Sequence, residues 1–234
     1  MNEEQFGQAV QELGIQIKQA QLEKLRLYYE SLIEENQKTN LTRITEINDV
    51  YLKHFYDSLT INKLISMQEE TDLCDIGTGA GFPGIVLKIV FPHLRVVLID
   101  SSAKKTRFLQ KMIEKLQLND VKVILMRAEE FSEDNIGKFN LVVARAVGST
   151  SVLAEISAKM IKKDGKLICY RGNISREILN ETKIKKVLGL VLQNQITFIL
   201  PCERSQRGLL LFVKKGQIAP GFPRQYSQIK KNPL

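Results

Sequence analysis

The decapeptide DIGTGAGFPG, residues 75–84, holds four glycines and one proline directly after the apolar pair Leu73-Cys74. Glycine at that density weakens helix and strand alike, so bare backbone is needed there for a close approach. A dinucleotide loop reads G-x-G-x-x-G. Here Gly77 and Gly79 fit, but Phe82 stands where the third glycine belongs and that glycine has moved to Gly81. A phosphate loop needs Gly-Lys-Ser/Thr next, which is absent. An acid, Asp75, opens the stretch and repels a pyrophosphate. It suits a ligand that is cationic and needs a hydrogen-bond acceptor. A tight strand-to-helix turn with no ligand is the competing reading.

An acid followed by G-x-G-x-G resembles motif I of class I S-adenosylmethionine-dependent methyltransferases. The resemblance implies that Asp75 orients the amino-acid end of that ligand, directly or through water, while Gly77 and Gly79 admit it close to the backbone. Asp100 ends the run Val96-Val97-Leu98-Ile99, 23 positions after Gly77. In this type of fold a carboxylate at that place accepts hydrogen bonds from both ribose hydroxyls, with Ser101 beside it. Arg127-Ala128-Glu129-Glu130 follows the next apolar run. In class I methyltransferases that loop lies beside the adenine; an ordinary charged loop is equally compatible.

Missing motifs narrow the acceptor. Methylation of an exocyclic amine uses an Asn/Asp-Pro-Pro-aromatic motif after the fourth strand, where this chain has Arg145-Ala146-Val147. Methylation at C5 of a pyrimidine needs a cysteine nucleophile near the fourth or fifth strand. No Pro-Cys follows strand four, and Cys169 reads as core. What remains at the sheet edge is Arg145, Tyr170, Arg171 and Phe82. An acceptor already nucleophilic, such as guanine N7 with its in-plane lone pair, needs no base, and positioning with desolvation would suffice. Arg145, Tyr170 and Arg171 are the candidates for positioning it. Arginine suits phosphate or guanine O6; an arginine aimed at N7 itself would block the reaction. A plain salt bridge from Arg145 to Asp75 or Glu129 is the alternative.

These residues need a scaffold. Short apolar runs at 73–76, 96–99, 121–125, 141–144, 166–170, 195–200 and 208–213 alternate with helical stretches at 84–90, 104–116, 151–161 and 175–188. That alternation predicts a mostly parallel seven-stranded sheet with helices on both faces. No helix separates the last two runs, so they should pair antiparallel as a hairpin. Before the sheet, Leu22, Leu25, Tyr29, Leu32 and Ile33, then Ile47, Tyr51, Phe55, Leu59 and Leu64, recur at helical spacing. The expected organisation is an N-terminal helical segment (1–66) docked on an α/β, Rossmann-like core (67–215), followed by a basic tail (216–234) that is extended until a partner orders it.

Charge is uneven along the 234 residues. Residues 1–70 carry 7 basic and 12 acidic side chains, residues 71–150 carry 11 and 9, and residues 151–234 carry 16 and 5. A last third at +11 points to a polyanion, nucleic acid first. Cys74, Cys169 and Cys202 are too few and too widely spaced for a disulfide framework or a zinc site, and with only His54 and His93 no metal is expected. His54 could reach the site from the helical segment. No apolar run approaches the ~18 residues of a membrane span, and the acidic start MNEEQFGQAV lacks a signal pattern. A soluble, cytoplasmic protein is expected.

Taken together, Asn40-Leu41-Thr42, His54-Phe55 with Asp57-Ser58, the loop from Asp75 to Ile85, Ala144-Arg145-Ala146-Val147, and the ending Pro223-Arg224 with Lys231-Asn232-Pro233-Leu234 resemble the bacterial small-subunit ribosomal RNA guanine-N7 methyltransferases, formerly called glucose-inhibited division protein B. The resemblance spans nearly the whole chain. It implies a monomeric class I methyltransferase that uses S-adenosylmethionine to methylate N7 of one guanosine in 16S ribosomal RNA, and whose loss gives mild streptomycin resistance. Family cofactor positions fall on Gly77, Phe82, Ala128, Glu129 and Arg145. Where the family often has Tyr-Lys-Gly, this chain has Tyr170-Arg171-Gly172. Arg145, Arg171, Arg204, Arg207, Lys230 and Lys231 are the expected RNA contacts. The alternatives are a class I methyltransferase acting on another RNA, a protein or a small molecule, and a non-enzymatic RNA-binding protein with a decayed cofactor site.

Overall fold

Leu141, Val142, Val143 and Ala144 are all fully buried, as expected of a strand covered on both faces. They sit in the middle of a seven-stranded sheet. A computed structural model describes residues 1–69, 71–174 and 180–234. The strands are β1 (Asp72–Ile76), β2 (Arg95–Asp100), β3 (Val121–Leu125), β4 (Phe139–Arg145), β5 (Ile161–Arg171), β6 (Leu190–Ile199) and β7 (Gln206–Lys214). Their spatial order is β3-β2-β1-β4-β5-β7-β6. Strands β1 to β5 run parallel, and β7 inserts antiparallel between β5 and β6. The order reverses between β1 and β4, so the crevice outside the carboxyl ends of those two strands is the expected ligand position.

Helices cover both faces. On one lie α1 (Glu3–Glu12), α2 (Gln19–Thr39), α5 (Gly84–Val90) and α6 (Ala103–Lys115). The same face carries one continuous run: α3 (Ile47–Val50), a π-helical turn (Tyr51–Tyr56), α4 (Asp57–Leu59) and a 3-10 turn (Thr60–Lys63). The helical periodicity seen in the sequence is therefore real, and its apolar stripe is spent on the glycine loop. Phe6 meets Tyr51 edge-on with ring centroids 5.3 Å apart, Tyr28 stacks on Phe55 at 5.7 Å, and Tyr28 reaches Phe82 at 5.4 Å. The Tyr28 hydroxyl donates to the Ala80 carbonyl inside the loop. On the other face lie α7 (Ala128–Asp134), α8 (Thr150–Ser157), α9 (Glu181–Leu188) and α10 (Tyr226–Lys231).

Three expectations need correction. Residues 127–130, read as a loop, begin α7: Arg127 is its N-cap, and Glu129 and Glu130 stand in its first turn, where acids favour the positive end of a helix. The stretch expected as helix at 151–161 ends at Ser157, and Ile161 already belongs to β5. The tail is not extended. Arg224 gives Glu155, a fully buried acid in α8, hydrogen bonds from its Nε (2.8 Å), Nη2 (2.7 Å) and backbone N–H (2.9 Å). Helix α10 then buries Ile229. A six-residue helix with one buried apolar residue leaves no period to read in sequence. Part of the helical stretch expected at 175–188 lies outside the described residues; the remainder forms α9.

Candidate active site

The glycine loop joins β1 to α5, and Asp75 builds it from beneath. Its carboxylate is fully buried, and Oδ2 accepts from the Thr78 hydroxyl (2.7 Å) and the Gly84 N–H (2.8 Å). Gly84 has to be glycine because an added Cβ would strike Leu98 and the Asp75 carboxylate. Oδ1 of Asp75 is buried with no hydrogen-bond partner among the described residues. Burial pushes this carboxyl up to about 7, against the lowering effect of its Thr78 and Gly84 bonds. Asp75 was expected to orient the ligand's amino-acid end, directly or through water; its described hydrogen bonds go to the loop itself.

The next turn carries a second acid. Asp100, at the end of β2, accepts from Gly79 N–H on Oδ2 (3.0 Å) and from Ser102 N–H on Oδ1 (2.9 Å), and Lys105 approaches to 3.6 Å. A carboxylate offers about four acceptor sites, so capacity remains for hydroxyl donors. Asp100 forms one wall of a cavity of about 280 Å³. The other walls are Gly77 and Ile76, Ile99, Ser101 and Lys105, Met126 to Glu129, Ala146 and Val147, Ile156 and Tyr226. Gly77 (φ +63°) keeps this space open, because a Cβ there would run into Val147. The cavity thus combines apolar side chains with charged ones and a carboxylate held by backbone donors. It fits an adenosine: Asp100 for the ribose hydroxyls, and Ile99, Met126 and Ile156 for the base.

A second cavity of about 340 Å³ adjoins it, lined by Ile44, Lys53, His54, Asp57, Arg145, Ala146, Tyr170, Arg171, Gly172 and Arg207. Ala146 lines both. It follows β4 in the left-handed region (φ +58°), so the chain turns between Arg145, a wall of the second cavity, and Val147, a wall of the first. Arg145 is clasped from the N-terminal segment. Its Nη1 donates to the Lys53 carbonyl (2.8 Å) and to Asp57 Oδ2 (3.0 Å), and its Nη2 lies 3.0 Å from His54 Nδ1. Arg207 holds the other Asp57 oxygen at 3.3 Å. The Tyr170 hydroxyl donates to the Ser58 carbonyl at 2.7 Å, tying β5 to α4. Arg171 donates from Nε to Thr150 at 2.9 Å. A salt bridge for Arg145 was foreseen, but with Asp75 or Glu129; the acid is Asp57.

Of the expected cofactor residues, Gly77, Asp100, Ser101, Ala128 and Glu129 line the first cavity. Asp75 and Gly79 support it from behind. Arg145 lies in the second cavity, and Phe82 is buried under it: the ring stacks on His54 at 4.2 Å with the Arg145 guanidinium 5.2 Å from its centroid. Arg145, Tyr170, Arg171 and Arg207 converge on the second cavity. Arg204 is exposed between β6 and β7, and Lys230 and Lys231 are exposed on α10; none of the three lines either cavity. Sequence reasoning gave no role to Asp57, although it stands one helical turn from His54, the spacing that puts two side chains on one face. It also missed Tyr226, which no local pattern could have placed beside Arg127.

Burial, and then the Arg145 charge, lower the His54 pKa from 6.5 to about 3. The native ring therefore binds fewer protons than the unfolded one between about pH 3 and 6.5, and the stability this contributes is lost as pH falls through that window. Asp75, whose folded pKa is raised, acts with the opposite sign between about pH 4 and 7 and does so with or without His54. Urea unfolding of wild type and His54→Phe at a series of pH values is expected to show their stability difference shifting against wild type by about 1.4 kcal/mol per pH unit below pH ~6. A difference independent of pH would contradict a neutral, buried His54.

The family model described as GidB, rRNA small subunit methyltransferase G, matches residues 21–209. Ribosomal RNA small subunit methyltransferase G of Bacillus cereus (strain B4264) is 41% identical over 237 residues, covering 100% of this chain and 99% of that protein; the protein of the same name from Bacillus thuringiensis (strain Al Hakam) gives the same values. Among solved structures, precorrin-6y C5,15-methyltransferase from Geobacter metallireducens has a TM-score of 0.51 at 14% identity, covering 75% of this chain and 92% of that one. A variant of MtNAS in complex with S-adenosylmethionine has a TM-score of 0.56 at 16% identity, covering 82% and 75%. At such identities the structures share the fold alone. The full-length relatives and the family match, by contrast, settle kinship: this chain belongs to the GidB family of ribosomal RNA small subunit methyltransferases.

Proposed function

We propose that this methyltransferase transfers a methyl group from S-adenosylmethionine to N7 of one guanosine in 16S ribosomal RNA, acting as a monomer in the cytoplasm on the small subunit or its precursor. The observation that carries the reading is the shared wall at Ala146: an adenosine-sized cavity and a basic cavity meet at the carboxyl edge of β1 and β4. Gly77, Asp100, Ser101, Ala128 and Glu129 hold the cofactor, with Asp75 and Gly79 shaping the loop. S-adenosylmethionine supplies an electrophilic methyl on a sulfonium that departs as a neutral thioether.

The second cavity receives the guanine. None of its described wall residues offers an idle base. His54 Nδ1 accepts from Arg145, both Asp57 oxygens face arginines, and the Tyr170 hydroxyl is spent on Ser58. An acceptor that must lose a proton would find no help there. N7 has a free lone pair and loses none, so positive charge is relocated rather than created, and a cationic cavity need not stabilise a developing anion. Arg145, Arg171, Arg207 and Lys53 serve as donors to O6 and to flanking phosphates. Tyr170 sets the floor.

The test is transfer of labelled methyl to small subunits from a strain lacking the enzyme, with digestion and mass mapping of the product. One 7-methylguanosine in 16S rRNA is expected. Label that survives RNase, or none at all, would refute the reading.

A further inference from the structure

We propose that His54 is a positioning residue: as the neutral Nε2–H tautomer it fixes the guanidinium of Arg145 in the wall of the acceptor cavity, without exchanging a proton with substrate. Neither the family match nor the relatives' names assign a role to this side chain, and the proposal rests on the reading of that cavity as the guanine site.

The tautomer follows from the partners. Arginine can only donate, and Arg145 Nη2 lies 3.0 Å from His54 Nδ1. Nδ1 must therefore present its lone pair, and the ring proton sits on Nε2. Nε2 lies 3.0 Å from Thr42 Oγ1, which accepts it. Thr42 Oγ1 also accepts the Ile44 N–H at 3.1 Å, so the threonine is itself fixed. The ring cannot swing away, because it stacks on Phe82 at 4.2 Å with an interplanar angle of 15°. A protonated ring would place Nδ1–H against a guanidinium, pairing donor with donor and cation with cation. The groups around it come from several elements: Arg145 on β4, Lys53 and Asp57 on its own helical run, Arg207 on β7, and Tyr28, Asp75 and Tyr170 farther in. The nearest formal charge is Arg145, so the site resists charging the ring.

Among the described residues, the Lys53 carbonyl and His54 of the π-helical turn and Asp57 of α4 hold Arg145, and the Phe82 ring lies under it. Wide π turns of this kind recur at functional sites. Here the turn lets the Lys53 carbonyl, the His54 ring and the Asp57 carboxylate meet one guanidinium. The N-terminal helical segment is then a part of the acceptor site, which explains why its aromatic residues are packed onto the glycine loop.

Two substitutions separate acceptor from bulk. His54→Phe keeps a ring on Phe82 and removes the acceptor. His54→Asn removes the ring and can offer an amide oxygen near the Nδ1 position. We expect His54→Phe to lower kcat roughly 30-fold, within the range that misplacing one group costs, while S-adenosylhomocysteine affinity by calorimetry stays within about twofold, as His54 lies outside the first cavity. His54→Asn should recover about tenfold of that loss. Nitrogen-15 spectra of the wild-type histidines should show one neutral Nε2–H ring that does not titrate between about pH 5 and 8. A His54→Phe enzyme with wild-type kcat would overturn the proposal. So would a ring carrying its proton on Nδ1, or a kcat profile in wild type with a histidine limb that His54→Phe abolishes, which marks a general base. If wild type methylates no ribosomal substrate, the guanine reading fails, and the spectra still decide the tautomer and its hold on Arg145.

Discussion

Replacing Gly77 with arginine is expected to abolish methyl transfer and to weaken S-adenosylhomocysteine binding more than about 100-fold. Two effects add. Gly77 sits at φ +63°, where any side chain costs roughly 1–2 kcal/mol. A Cβ there also collides with Val147, and the rest of the arginine must occupy a cavity of only about 280 Å³. Backbone strain alone does not explain the expected loss, and the chain contains its own control. Gly137 has nearly the same backbone (φ +60°), but a Cβ there meets nothing within 4 Å. Gly137→Arg should therefore lose a similar increment of thermal stability yet bind S-adenosylhomocysteine like wild type. Calorimetry on the two variants measures this directly. Binding within tenfold of wild type in Gly77→Arg would remove the first cavity from consideration as the cofactor site.

Removing the arginine that pins the tail should be the most damaging change outside the two cavities. Glu155 is fully buried, and Arg224 supplies three of its hydrogen bonds while keeping 23% of its own side chain exposed. The two halves of the pair are thus unequal. Arg224→Ala leaves a carboxylate in the core with one backbone donor, which costs about 3 kcal/mol or more. Glu155→Gln leaves a guanidinium that can turn toward water and an amide that can still accept, so about 1 kcal/mol is expected. For a chain of this size, the first change lowers the melting temperature by roughly 6–12 °C and the second by about 2–4 °C. Scanning calorimetry with the double variant closes the cycle, and Arg224→Ala is expected to lose part of its penalty when Glu155 is already glutamine. Equal effects of the two single changes would mean that the tail is held by Ile229 and Leu234 rather than by the ion pair. Because Tyr226 lines the first cavity, Arg224→Ala should also loosen cofactor binding, a link the reading of this tail as an RNA-binding arm did not contain.

Those two sites also show what could be read without coordinates. The glycine loop, Asp100 and the seven apolar runs were all legible, because each depends on spacing along a few residues: a strand needs its run, a tight turn needs its glycine, and β1 to β2 is one helix apart. The partner of Arg145 was not. A salt bridge was foreseen, yet Asp57 lies 88 positions earlier, closer in space than either acid chosen from the sheet edge. The loop contacts of Asp75 were not legible either, since the direction of a carboxylate depends on which N–H groups the folded loop offers it. The stacking of Phe82 on His54 was not legible, because the two stand 28 positions apart. The tail was given to RNA on its charge, whereas its one arginine pairs with a buried acid in α8. By itself the sequence determined the class of fold and the family, both of which are written in local pattern. Only the tertiary structure decided that two cavities meet at Ala146, that the N-terminal helices supply the clasp on Arg145, and that the C-terminus closes the other side, because those contacts join segments whose separation along the chain carries no periodic signal and whose meeting is set by how the apolar faces pack.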